Sequence, residues 1–228
     1  MDDDLSQRAA FVDSPSESVF QSVYAADDFA LNCDLQSAFW NQARCVEIRF
    51  DAGGHLCARR CTQVRSRWSR TSLYVLFICP YEELYLRPQP VTDRETFGLW
   101  NWDVVELFIG CDFQNIGLYK EFEVSPQGEW VDLDVNLDLP DHTVGWEWAS
   151  GCEVAAWIDQ SESVWYGAMR IPFSAIDSQT ATTGMIFRAN LCRSEGPPPR
   201  KKLTAWKAPL KETFHVPEKF GYLELVNV

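Results

Sequence analysis

Hydrophobic and polar residues alternate along the chain in short segments separated by turn formers, the pattern expected of β-strands. Residues 73–79 and 104–109 are almost continuously apolar and rich in β-branched and aromatic residues, which is typical of strands buried on both faces. The sequence shows neither a long amphipathic helical pattern nor an internal repeat. We therefore predict an all-β fold, a two-sheet antiparallel β-sandwich that is jelly-roll-like. It forms a single domain over residues 1–228, with residues 1–15 as a flexible arm.

The same pattern assigns the remaining segments. Further strands are predicted at residues 18–24, 45–50, 55–62, 146–148, 151–159, 164–171 and 184–192. Residues 65–72 are predicted to form a loop, and so are residues 81–99, which are rich in proline, glutamate and arginine. A loop as long as the second one is usually functional in a compact domain.

One acid interrupts the apolar strand at residues 104–109. Period-two alternation places Glu106 on the same face as Val104 and Phe108, and places Asp103 on the opposite face with Val105. A carboxylate on an apolar face is costly unless it is paired or solvated. Glu106 therefore either meets a cation in a structural pair or opens onto a pocket.

A β-hairpin is predicted to follow, with residues 119–124 and 129–139 as its arms and a Ser-Pro-Gln-Gly turn. Matching apolar side chains across the arms requires an even-numbered loop, for instance one that sets Val124 opposite Val131. That register would align four carboxylates on one face, those of Glu121, Glu123, Asp132 and Asp134.

Such a row of like charges destabilises a sheet unless something offsets it. A solvated acidic surface would be the simplest explanation, but Tyr119 and Trp130 in the same hairpin favour a functional face. The offsetting partner is either arginine or a bound calcium ion. We predict pairing with Arg188 and Arg193, together with solvent, because regular strands leave no irregular loop to wrap an ion. In this prediction Arg188 shares a strand face with Asn190.

Composition narrows the partners and the class of site. The formal net charge is −13, from 33 acids and 20 bases, which argues against nucleic acid and anionic membrane partners. Ten tryptophans provide flat apolar platforms of the kind that sugar-binding proteins use, although sandwich cores also take tryptophan. The sequence carries no signal for the oligomeric state.

Cysteine and histidine do not follow a metal-site pattern. The eight cysteines lack a Cys-x-x-Cys pair and the three histidines are far apart, so a zinc site is not predicted. The first residues lack the basic and apolar regions of a signal peptide, and no apolar run approaches the length of a membrane span. The chain as given is predicted to be cytoplasmic with reduced thiols, or extracellular or periplasmic if a leader has been removed.

Taken together in chain order, several short motifs resemble the family-nine carbohydrate-binding modules. They are Leu73-Tyr74-Val75, Trp100-x-x-Asp103-x-x-Glu106, Tyr119-x-Glu121-Phe122-Glu123, Arg188-x-Asn190-x-x-Arg193 and Phe214-His215-x-Pro217-x-x-Phe220-Gly221. The resemblance extends over essentially the whole chain.

This resemblance implies a clamp of two aromatic rings around a terminal sugar. Trp100 matches the first ring, and Phe214 falls where the second ring, usually a tryptophan, would lie. Glu106 matches a polar residue that bonds the sugar hydroxyls, whereas Glu123 falls where a basic residue can sit. Members of the family often carry structural calcium, so the resemblance leaves a structural calcium ion open here without assigning its ligands.

The resemblance thus implies a non-catalytic module that recognises a terminal sugar or a short oligosaccharide. The predicted carbohydrate-binding residues are Trp100, Phe214, Asp103, Glu106, Tyr119, Glu121, Glu123, Asn190 and Arg193. One alternative is a sandwich that has lost sugar binding and serves as an interaction or scaffolding domain. A third reading is a glycoside hydrolase that uses Glu106 with Glu121 or Glu123 as paired carboxylates.

Overall fold

The computed structural model describes residues 18–57 and 61–227, so the arm predicted at residues 1–15 lies outside the described residues. The strands are β1 (Val19–Tyr24), β2 (Arg44–Ile48), β3 (Phe50–Asp51), β4 (Thr62–Trp68), β5 (Ser72–Pro80), β6 (Val104–Gly110), β7 (Leu118–Val124), β8 (Trp130–Asn136), β9 (Glu153–Asp159), β10 (Val164–Pro172), β11 (Ile186–Glu195), β12 (Lys202–Ala205) and β13 (Gly221–Val226). The helices are α1 (Ala38–Asn41) and α2 (Phe173–Ile176), with 3-10 helices at Leu99–Asn101, His142–Glu147 and Pro217–Lys219. In the described part of the chain, every helix is too short or too polar to cross a bilayer.

The strands form two layers packed face to face. One layer has the order β8-β7-β6-β11-β13 and the other has the order β1-β4-β5-β10-β9. Both layers contribute to one apolar core, in which β5 and β10 side chains pack against those of β6 and β7. The all-β sandwich prediction is confirmed. Two details go beyond it, since β1 runs parallel to both β13 and β4, and the β13–β1 pair joins the two layers into one continuous sheet.

Strand β6 is buried on both faces, as its apolar run predicts. Val105 and Leu107 belong to the core between the layers, whereas Val104 and Phe108 belong to a second cluster on the outer face. Residues of β7 and β8 complete the outer cluster, which loops from the C-terminal part of the chain cover. The layers approach closely, because a Cβ added at Gly167 of β10 would lie 2.8 Å from a methyl group of Val124 in β7.

The predicted hairpin exists, but its predicted register is wrong by one residue. Strand β7 pairs with β8 so that Glu123 faces Val131 and Phe122 faces Asp132. The loop between Ser125 and Glu129 has three residues, closed by a backbone hydrogen bond of 2.9 Å from Ser125 N to Glu129 O. An odd loop shifts the pairing by one residue, so every side chain of β8 faces the opposite way from the prediction.

The shift separates the four aligned carboxylates of the prediction. Asp132 and Asp134 lie on one face of the hairpin, and Glu121 and Glu123 lie on the other. Strand β8 is also at the end of its layer and not central in it.

Three local predictions are wrong for physical reasons. Half of residues 65–72, predicted as a loop, complete β4, which ends at Trp68, because Arg67 is buried and donates to Val23 O and Tyr24 O at 3.1 and 2.5 Å. Residues 146–148, predicted as a strand, form the end of the 3-10 helix His142–Glu147 and its C-cap. Asp141 caps the start of this helix by accepting from Thr143 N. The strand predicted at 55–62 shares only Thr62 with a strand of the structure, since β4 begins at that residue. Residues 58–60 lie outside the described residues.

Gly128 tests the loop geometry. Its φ of 83° lies in the left-handed region, as a three-residue hairpin loop requires, so Gly128→Ala should cost about 1 kcal/mol of unfolding free energy. Gly117 is the matched control, because a Cβ there meets only ordinary contacts, the nearest at 3.6 Å. Urea unfolding should show the loss for Gly128→Ala and a much smaller change for Gly117→Ala. Equal effects would contradict the assigned register.

Candidate functional site

A cleft of about 310 Å³ opens on the outer face of the β8-β7-β6-β11 layer. Its floor is formed by strand residues, among them Glu106 of β6, Glu121 of β7 and Ser194 of β11. Its walls come from loops and short helices, which contribute Trp100, His142, Lys201, Phe214 and His215. A larger groove of about 690 Å³ lies beside β1 and β2, but the predicted site residues are not among its lining.

The two predicted clamp rings both line this cleft, but they differ in what they expose. Trp100 is half-buried and contacts Phe97 edge-on, with ring centroids 5.1 Å apart. Phe214 is only 6% exposed and packs edge-on against Phe108 at 6.3 Å. Trp100 therefore offers a stacking surface, while Phe214 contributes mainly to the wall.

Three glutamates converge at the floor because of the strand register. Glu106 pairs directly with Glu123 across β6 and β7, and Glu121 lies two residues from Glu123 on the same face. Each offers a carboxylate oxygen within 4.8 Å of the others. The side chains are 3%, 1% and 3% exposed for Glu106, Glu123 and Glu121.

Few protein groups satisfy these carboxylates. Ser194 donates its hydroxyl to Glu106 Oε1 at 3.0 Å. Within residues 18–57 and 61–227, Oε2 of Glu121 and both oxygens of Glu123 have no hydrogen-bond partner other than each other's carboxyl groups. Buried polar atoms of this kind are rare in native proteins and call for an explanation.

Burial dominates the protonation of this group. It raises the pKa of Glu106 to about 7, against smaller opposing effects of the Ser194 hydrogen bond and the Lys201 charge. Burial and the charge of Glu106 raise the pKa of Glu121 to about 8. The pKa of Glu123 is raised well above its ordinary value by burial and by both neighbouring acids. Without a bound cation, the three groups therefore share protons at neutral pH.

A histidine and a tyrosine stand beside the acids. Tyr119 Oη lies 2.7 Å from Nδ1 of His215, whose Nε2 lies 3.2 Å from Nε2 of His142 and 4.0 Å from Oε2 of Glu121. Burial, and secondarily the neighbouring His142, lower the pKa of His215 to about 4, so its ring is neutral at neutral pH. A neutral ring that accepts from Tyr119 at Nδ1 carries its proton on Nε2, towards His142 and Glu121.

The predicted site residues divide into two groups. Trp100, Glu106, Glu121 and Phe214 line the cleft, and Tyr119 and Glu123 lie directly behind that lining. The opening that the sequence offered as one alternative for Glu106 is therefore present.

The other three predicted residues, Asp103, Asn190 and Arg193, form their hydrogen bonds away from the cleft. Asp103 accepts from Tyr85 N at 3.0 Å and Gly196 N at 2.6 Å. Asn190 ties β11 to the backbone of Lys207 through bonds of 2.9 and 3.0 Å. Each of these contacts holds a loop against the sheet.

The predicted arginine pairing of the acids is wrong. Arg193 pairs with Val105 of β6 and so points to the inner face, where it donates to Thr62 Oγ1 at 3.0 Å and Pro80 O at 2.9 Å. Arg188 donates to the carbonyl oxygens of Asp112 and Leu118 at 3.0 and 3.3 Å. Arg193 also forms an ion pair with Glu195 at 3.4 Å, so neither guanidinium group is directed to the predicted acids of the hairpin.

Sequence reasoning missed the residues that come from loops. Lys201, which was not among the predicted site residues, donates from Nζ to Trp100 O and lines the cleft. His215 stood inside a recognised motif, next to Phe214, and could have been proposed on that ground. His142 and Ser194 carry no local signal, because only the packing of distant segments brings them to the cleft.

Comparisons with known proteins decide the family. The family model described as "Carbohydrate family 9 binding domain-like" matches residues 34–228. The chain belongs to this family.

Relatives extend the comparison. The chain is 27% identical over 179 residues to an "Extracellular protein" of Arthroderma benhamiae. This match covers 72% of this chain and 78% of that protein. It is 24% identical over 189 residues to an endo-1,4-beta-xylanase A of Thermotoga neapolitana, covering 82% of this chain but only 16% of the xylanase. The chain thus spans a small part of that enzyme.

A solved family 9 module shows the same fold. The module from Caldicellulosiruptor kristjanssonii was solved in complex with glucose and with cellotriose, and both structures superpose with a TM-score of 0.64. The glucose and cellotriose complexes are 13% and 14% identical to this chain. Each alignment covers 92% of this chain, and it covers 96% of the module in the glucose complex and 94% in the cellotriose complex. At this identity the likeness concerns the fold.

Tyr119 and His215 provide a test of the wall behind the cleft. Tyr119→Phe removes the 2.7 Å hydrogen bond and leaves a buried imidazole nitrogen unsatisfied, which should cost roughly 1–2 kcal/mol of unfolding free energy. The exposed Tyr222 supplies the matched control, and Tyr222→Phe should change stability little. Guanidinium unfolding measures both. A Tyr119→Phe variant as stable as the control would show that the bond contributes nothing.

Proposed function

We propose that the cleft beside Trp100 binds a terminal sugar or a short oligosaccharide and does not cleave it. The single observation that carries the proposal is the convergence of the half-buried indole ring of Trp100 with buried polar groups in one cleft of a family 9 domain. A pyranose presents C–H groups that stack on an aromatic ring, and its hydroxyls need donors and acceptors at the ring edge.

The polar groups around Trp100 suit hydroxyl recognition. Glu106 and Ser194 form a hydrogen-bonded pair at the floor, and Lys201 and His142 line the walls. Carboxylates accept strong hydrogen bonds from hydroxyls, and the ammonium group donates them. Glucose and short glucose oligosaccharides are the first ligands to test, since the solved family 9 module was crystallised with glucose and cellotriose.

The arrangement of the acids supports binding over hydrolysis. Glycosidases place two carboxyl groups on either side of the scissile bond, about 5–9.5 Å apart. Here the three glutamates offer oxygens within 4.8 Å of one another at the floor of the cleft, and only Glu106 and Glu121 belong to its lining. A sugar in the cleft would therefore meet both of these acids from the same side.

Location is a separate part of the proposal. The name of the Arthroderma benhamiae relative favours the extracellular alternative. The eight cysteines, all free in the structure, favour a reducing compartment. Fractionation of the tagged protein from its own cells decides between the two.

Removal of the stacking ring is the direct test. Trp100→Ala should weaken binding of cellotriose at least about tenfold, because it removes roughly 1.4 kcal/mol or more of ring contact. Trp157 is the matched control, since it is 53% exposed on β9 in the other layer. Isothermal titration with cellotriose, preceded by a glycan array on the unaltered chain, measures the effect.

The outcomes separate the three functions. Binding that Trp100→Ala weakens and Trp157→Ala leaves unchanged supports the sugar cleft. A folded chain that binds no glycan on the array supports the interaction or scaffolding alternative. Hydrolysis of an oligosaccharide that Glu106→Gln abolishes would establish an enzyme instead.

A further inference from the structure

We propose that Glu106, Glu121 and Glu123 bind one divalent cation at the floor of the cleft, with calcium as the best match. The site would give the buried carboxylates the partner that the protein itself does not supply. It stands independently of sugar binding, because it concerns an ion held by strand residues whether or not the cleft takes a ligand.

The geometry suits a single ion. Calcium–oxygen distances are about 2.3–2.6 Å, so oxygens that share one calcium ion lie at most about 4.6–5.2 Å apart. The three glutamates offer one oxygen each within 4.8 Å of the others. Two of them, Glu106 and Glu123, are directly paired across β6 and β7, so the arrangement is set by backbone hydrogen bonds and not by mobile loops.

The unpartnered oxygens are an independent sign of a missing ligand. Apart from the contact between the Glu121 and Glu123 carboxyl groups themselves, no residue in the described ranges 18–57 and 61–227 hydrogen-bonds to either oxygen of Glu123 or to Oε2 of Glu121. Glu123 is 99% buried, so bulk water does not solvate it. A buried carboxylate that lacks a partner is expected to coordinate a metal or to be paired.

Neighbouring cations are directed elsewhere or balance only part of the charge. Arg188 donates to backbone oxygens, and Arg193 donates to backbone and hydroxyl oxygens and pairs with Glu195, away from Glu106, Glu121 and Glu123. Lys201, which lines the same cleft, donates to Trp100 O. Three carboxylates carry −3, so Lys201 and one divalent ion together would bring the floor to neutrality.

The donor set indicates the class of ion. The three convergent groups offer only carboxylate oxygens, and hard ions such as calcium prefer oxygen ligands. Because Glu106 and Glu121 line the cleft, the remaining coordination positions of the ion would face it. Water or a ligand hydroxyl would fill those positions. A ligand ammonium group is less suitable, since it would have to reach Glu123 behind the lining.

The experiment measures calcium binding in the absence of sugar. The full chain, treated with a chelator and then freed of it, is titrated with calcium chloride by calorimetry and by thermal unfolding. At a hundredfold excess over Kd, calcium should raise the melting temperature by about 5–10 °C. Magnesium is titrated in parallel as the smaller competitor.

Two substitutions at matched positions separate the site from general acidity. Glu123→Gln keeps the shape of the side chain and removes a ligand charge, so it should abolish the calcium shift. In chelator this variant should melt at or above the temperature of the unaltered chain, which also shows that it folds. Asp132→Asn is the control, because Asp132 is a buried carboxylate on the opposite face of the same hairpin and accepts from Ser150. It should keep the full shift.

A calcium shift that Glu123→Gln loses and Asp132→Asn retains supports the site. No shift in the unaltered chain, or a shift that Glu123→Gln retains, overturns it. Because no sugar is present, a negative result here leaves the glycan experiments unaffected, and a chain that binds no glycan still answers the calcium question.

Discussion

The pairing of β6 with β7 and β11 is the constraint on which the structure of the site depends. β6 is buried on both faces, so its inner side chains hold the two layers together and its outer side chains form the floor of the cleft. Glu106 cannot leave that floor without moving Val105 and Leu107 out of the core. The same register sets Glu123 directly opposite Glu106. Packing of the core and convergence of the acids therefore have one cause.

This constraint carries a cost that the sheet itself does not remove. Like charges directly across a pair of strands are unfavourable, and burial makes them more so. Ser194 donates its hydroxyl to Glu106, whereas Arg188 is directed to backbone carbonyls and Arg193 to Thr62, Pro80 and Glu195. The raised pKa values of the glutamates show the same imbalance in another form. A floor built in this way is stable only with protons or a cation on it, which links its chemistry to its ligands.

The walls of the cleft have a different origin. Trp100, His142, Lys201 and Phe214 come from segments between the strands, where the chain is free to vary without disturbing the core. Phe214 is mostly covered by the outer cluster, so the indole of Trp100 is the main exposed ring of the two. Within a family defined by its fold, differences of this kind in the loops decide what each member binds.

The sequence by itself determined the features that depend on local periodicity. The all-β class, the hairpin, the two faces of β6 and the family resemblance all follow from alternation and from motifs within single segments. Only the tertiary structure decided the register of β7 against β8. Matching apolar side chains across the arms predicted an even-numbered loop, whereas Val131 and Leu133 pack in the outer cluster opposite the glutamates, and one residue of slip reverses every side chain. The tertiary structure likewise decided the partners of Arg188 and Arg193 and brought His215, His142 and Lys201 to the glutamates. Those contacts join residues far apart in the chain, and no pattern within one segment records them.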